Sequence, residues 1–122
     1  MATIAPVITE IGYGNFAAKQ VIWTPVTSAD SCAAVTFPEC AEKSVQVSGT
    51  FDSASVAVNG SNDGTNYAAL NDPGGSVIAI TGAKIKGVLE KTMFVQPSIS
   101  GGGGSQSLTI SMFFLATNPL RS

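Results

Sequence analysis

Two alternating runs on either side of a two-residue break constrain this chain more than any other feature. Residues 43–51 read KSVQVSGTF, with Val45, Val47, Gly49 and Phe51 on one side and Ser44, Gln46, Ser48 and Thr50 on the other. Residues 54–60 read ASVAVNG, and Val56 and Val58 again share a side. Period-two alternation marks a half-buried strand, because successive side chains leave opposite faces. Asp52 and Ser53 leave room only for a tight connection between the two.

The same reading extends along the chain. Gln20–Thr27 is rich in β-branched and aromatic residues, and Pro25 cannot donate to a ladder, so it predicts an edge strand or a bulged one. Asn66–Leu70, Ser76–Ile80, Thr92–Ser100 and Ser107–Ala116 complete seven strand segments. Between them stand explicit turns: Asp63-Gly64 within SNDGT, Pro73-Gly74 within NDPGG, and the Gly101–Gly104 run, which reads as a flexible hairpin tip. Seven or eight strands of this kind predict an all-β fold, an antiparallel, jelly-roll-like β-sandwich. Two stretches resist. Thr81–Glu90 places Ile85, Val88 and Leu89 at helical spacing and predicts one or two helical turns, weakened by Gly87. Residues 1–18 have no clear period and read as an extended N-terminal arm, leaving 19–122 as the sandwich.

At 122 residues there is room for one domain. Charged residues make up 11% and sum to −2, against about 25% charged in typical domains. The six basic residues are scattered, which argues against nucleic acid as a partner. So low a charge fits a subunit whose surface is covered in an assembly, or one solvated by Ser, Thr, Asn, Gln and Gly. No stretch has the basic start of a signal peptide or the length of about 18 apolar residues that spans a bilayer, so cytoplasmic synthesis and no membrane partner are expected. Cys32 and Cys40 are then expected to be buried thiols, although their spacing also permits a local disulfide across a loop.

Candidate chemistry is sparse. The chain has no histidine, which removes histidine triads, histidine metal sites and the usual neutral-pH base. Asn59, Ser61 and Asp63 match the first positions of a calcium loop, but Leu70 stands where its acidic ligand belongs. Gly101–Gly104 is followed by Ser-Gln-Ser rather than Gly-Lys-Ser, so it is no phosphate loop. The eight acids fall mostly at turns and form no glycosidase motif. No catalytic residue, cofactor or metal is assigned, and the expectation is a protein that is not an enzyme. Trp23, Phe37, Phe51, Tyr67, Phe94, Phe113 and Phe114 could form a sugar platform, but their strand positions favour packing. Phe113 and Phe114 are adjacent and must face opposite ways in a regular strand. One enters the core, and the other is a candidate oligomer contact.

From Val21 to Ala116 the chain resembles a family of small all-β structural proteins encoded in tailed-bacteriophage genomes. The features that carry the resemblance are VQVSGTF at Val45–Phe51, VNGSNDGTNYAAL at Val58–Leu70, DPGG at Asp72–Gly75 and VQPSISGGGGSQSLTISM at Val95–Met112. Tyr67 stands where the family pattern has a tryptophan, which weakens any sugar-stacking role. The resemblance implies a capsid decoration or cement protein on the outside of the virion head, bridging copies of the major capsid protein. It implies self-association as a homodimer or homotrimer. Residues 1–18 lie outside the resemblance. There Ala2, Ile4, Pro6, Val7, Ile8, Ile11, Tyr13 and Phe16 are the expected capsid-anchoring side chains. The competing expectation is a carbohydrate- or receptor-binding sandwich using Asn62–Asn66 and Gly101–Ser105, or a tail or connector subunit.

Overall fold

The structure, a computed structural model, describes residues 3–11, 17–27, 30–37, 40 and 42–116. These hold strands β1 (Thr3–Ile4), β2 (Val7–Ile11), β3 (Ala17–Thr27), β4 (Ser31–Cys32), β5 (Val35–Thr36), β6 (Glu42–Thr50), β7 (Ala54–Ser61), β8 (Ala68–Ala69), β9 (Lys84–Val88), β10 (Phe94–Gly101) and β11 (Ser107–Ala116). One sheet runs β2-β3-β11-β6-β9 and the other β5-β10-β7-β8. Pairing within both is antiparallel, while β1 and β4 form a short parallel pair. The all-β sandwich is therefore as expected, with eleven strands in the described residues rather than seven or eight.

The core follows from the alternation. Val21 and Trp23 of β3, Val45 and Val47 of β6, and Leu108, Ile110, Met112 and Phe114 of β11 bury one side of the larger sheet. They cluster with Val56 and Val58 of β7, Val95 of β10, and Leu70, Ile78 and Ile80. Each such side chain contributes about 1.5–3 kcal/mol on burial. Trp23 keeps its polar atom satisfied by donating from Nε1 to the Ala33 carbonyl at 3.0 Å. Cys32 and Cys40 are buried in the same cluster, and burial, helped by Asp30, pushes the Cys32 thiol up to about 12.

Pro25 occupies a bulge. Between the pairs Ile110↔Trp23 and Leu108↔Val26 the β3 side carries one extra residue, which absorbs the missing donor. Two expected elements take other forms. Lys84–Val88 is a strand on β6, not helical turns, since the ladder bonds of an edge strand outweigh a helix carrying Gly87. Ser76–Ile80 is not a strand. It makes the single bridges Asn71↔Val77 and Val56↔Ile80 while burying Ile78 and Ile80.

The two tight connections cross between sheets rather than closing hairpins. Asp52 and Ser53, both at positive φ (48° and 70°), carry the chain from β6 to β7 in the other sheet. Gly101 and Gly102, also at positive φ, return it from β10 to β11. The two corners lock together: the Ser105 N–H donates to Asp52 Oδ2 at 3.0 Å, and Gly103 lies so close to that carboxylate that a Cβ would strike it.

The described part of residues 1–18 lies in the chain's own ladders. Val7–Ile11 pair with Ile22–Ala18 of β3, and Thr3–Ile4 pair with Ser31–Cys32. Ala2, Tyr13 and Phe16 lie outside the described residues.

Candidate functional site

The outward positions of the five-stranded sheet form rows that only the ladder register reveals. Val7, Ile22, Ser111, Gln46 and Ile85 stand side by side across all five strands. The next row is Thr9, Gln20, Phe113, Ser44 and Gly87. The third is Ile11, Ala18, Leu115 and Glu42. Their strand neighbours Val21, Met112 and Val45 are fully buried, so these rows face away from the core. Val7 is 66% exposed, Ile85 63% and Phe113 42%. Across the three rows Glu42 alone carries a charge.

Phe113 and Phe114 part as their adjacency requires. Phe114 is 2% exposed and meets Phe37 edge-on, with ring centroids 5.1 Å apart. Of the two, Phe113 is the one available to a partner. Ile4 packs against the core, whereas Val7 and Ile8 are exposed on β2. Pro6 lies just before β2 and is half-buried.

The sheet edges differ sharply. β5 and β8 are two residues each, too short to template another chain. β9 is wrapped by the NDPGG loop. Leu89 N–H donates to the Asn71 carbonyl at 2.8 Å, Lys86 Nζ to Asp72 Oδ2 at 3.2 Å, and Pro73 sits against Gly87. Asn71 donates from its backbone and its amide to Glu90, each at 2.7 Å, and these bonds hold the Glu90 carboxyl below its usual range. β2 has five residues, no partner on its outer side among the described strands, and one charge, Glu10, 3.9 Å from Lys19.

Two shallow clefts open along the β11-β6-β9 side. One of about 330 Å³ lies beside Pro73, Gly87 and Leu89, and one of about 170 Å³ beside Ser44, Phe113 and Leu115. Glu42 and Lys43 line both. Burial, with Lys91 nearby, lowers the Lys43 amine from its ordinary value.

The polar loops spend their chemistry on themselves. Asp63 Oδ1 accepts from Ser61 Oγ (2.7 Å) and from the backbone N–H of Thr65 and Asn66 (2.8 Å each), and Oδ2 accepts from Asn66 Nδ2 at 2.8 Å. These bonds hold the Asp63 carboxyl well below the carboxylate range. The resemblance to a calcium loop is thus an Asx-type turn closed by its own donors. Asn62–Asn66 follows the end of β7 while Gly101–Ser105 abuts its start. The eight-residue strand between separates the two expected sugar-binding loops by roughly 25 Å. Among the described residues no three His, Cys, Asp or Glu side chains gather as a metal site.

Sequence reading found Phe113 through its pairing with Phe114, but it missed the face around it. Ile85 was hidden in an apparent helical spacing, although Lys84-Ile85-Lys86 alternates as an edge strand does. No protein-family model and no curated protein matches the chain. Among solved structures it is similar to the crystal structure of protein NMB1881 from Neisseria meningitidis. The identity is 10% and the TM-score 0.40, covering 88% of this chain and 80% of that one. A likeness at this level carries no function across.

Proposed function

We propose that this chain is a structural virion protein, a decoration or cement subunit that bridges major capsid proteins on the outside of a tailed-phage head. The observation that carries the reading is the five-stranded sheet, which leaves both a charge-poor apolar face and an unguarded edge strand. A bridging subunit needs at least two contact surfaces, and these differ in kind. Apolar surface of this sort is costly on a free domain and is useful once covered. Bonds that are weak singly hold firmly when copies repeat over a lattice, because each attachment raises the effective concentration of the next.

In this reading the shell contact is made by the N-terminal segment. Ile8 and the open edge of β2 invite an added strand from a capsid subunit, with Ile4 and Pro6 just before it in the chain. The test adds purified chain to heads of the encoding phage and measures bound copies after sedimentation. Ile8→Ser should lower occupancy by roughly tenfold, the effect of about 1.4 kcal/mol per site. Equal occupancy would remove β2 from the shell contact, and no retention of the unaltered chain would remove the cement role.

A further inference from the structure

We propose that the outer face of the five-stranded sheet packs on the same face of a second copy of this chain, with Phe113 at the centre of a two-fold interface. The inference stands independently of the cement reading.

Position is the first argument. β11 is the middle strand of the five, and Phe113 stands mid-row between Gln20 and Ser44. Exposed aromatic side chains at the centre of a face, ringed by apolar and uncharged neighbours, are the anchors of protein interfaces. Here Ile22 and Leu115 are the near apolar neighbours, and Val7 and Ile85 extend the apolar surface on the two outer strands.

Charge is the second argument, and it selects the occupant. A two-fold axis lying between two sheets sets a face against itself, so a face rich in one sign of charge would meet that same sign. This face carries one charged side chain, Glu42, at the start of β6 and diagonal to Phe113. A second copy brings only that one carboxylate against it.

Area is the third. The five strands hold about 40 residues, which at about 3.4 Å rise and 4.8 Å spacing tile roughly 650 Å². Fully overlapped, two such faces bury about 1,300 Å², the lower end of the range of a stable specific interface. The β2 edge alone is far too narrow for that. The outside of the four-stranded sheet offers Ser55, Ala57 and Asn59 opposite Ser100, Ser98 and Gln96, and the aromatic of that row, Phe94, stands at the end of β10 rather than at its centre. Face-to-face packing of two such sheets would follow the aligned geometry of sandwiches, with strands crossing near 30°.

The test is sedimentation velocity of the purified chain over a concentration series, with circular dichroism as the check on folding. The unaltered chain should form a dimer. Phe113→Lys and Ile85→Lys should each weaken it about a hundredfold, as loss of a central anchor does, while Ser98→Lys on the other sheet leaves it intact. Phe113→Cys should cross-link into a covalent dimer on mild oxidation, and Ser98→Cys should not. A monomer at all concentrations, a trimer, or a dimer indifferent to Phe113→Lys would each overturn the proposal. A monomer whose retention on heads falls with Phe113→Lys would assign the face to the shell instead. A Phe113-dependent dimer that no head retains would leave this interface standing and remove the cement reading.

Discussion

At the scale of single residues, the same side chain has opposite consequences on the two sides of one strand. Phe114 closes the core end of β11 against Phe37, and Phe114→Ala should cost about 3–5 kcal/mol of folding stability. Phe113 touches no core, and Phe113→Ala should change the stability of the dilute chain by about 0.5 kcal/mol or less. Urea unfolding of both variants measures the contrast, and equal losses would contradict the placement. The carboxylates give a second residue-scale prediction. Backbone bonds from Asn66 and Thr65 to Asp63, from Ser76 to Asp72 and from Asn71 to Glu90 all lower the folded-state pKa. A lowered folded pKa stabilises the charged form, so this stability is complete above the unfolded value near 4 and fades as pH falls below it. The melting temperature should therefore drop between about pH 5 and pH 2. Asp63→Asn places an amide donor against the Asn66 amide, so it should melt lower than the unaltered chain at neutral pH. The gap should narrow on acidification, and parallel curves would contradict the origin assigned to the shift.

At the scale of elements, the strands that alternate over eight or more residues were legible and the short ones were not. β6, β7, β10 and β11 announce themselves because each buries alternate side chains over much of its length. β1, β4, β5 and β8 have two residues each, too few to show a period, and of these only β8 lay inside an expected strand. β9 was misread because Ile85, Val88 and Leu89 match helical spacing, and only pairing with β6 decides between the periods. The face built around Phe113 could not be read at all. Its first row joins Val7 to Ile85 through three intervening strands, a relation that exists in register and nowhere in the sequence. One further feature belongs to this scale. Gly49 lets β6 approach β11 at a φ of 111°, where a Cβ would collide with the Ser107 carbonyl. Gly49→Ala should lower stability by roughly 1–3 kcal/mol. The urea midpoint should fall with no change in the slope of the transition, and an unaltered midpoint would show that the ladder tolerates the shift.

At the scale of the whole molecule, low charge, a bare β2 and an apolar outer sheet face have one physical explanation. In the proposed reading, that explanation is a surface finished by other chains. Its own loops consume their polar groups internally, as Asp63, Asp72 and Glu90 do, and β9 is wrapped against stray pairing. Of the large apolar side chains left exposed, Val7, Ile8, Ile85 and Phe113 stand on the five-stranded sheet, while Val77, Leu89 and Met93 lie outside its strands. The most direct test is a cryo-electron-microscopy map of the virion whose genome encodes this chain. The cement reading predicts two-sheet density on the outside of the head lattice, bridging neighbouring capsid subunits, with the N-terminal strand against the shell. A head bare of it, with the density on the tail or absent from the particle, would contradict that reading.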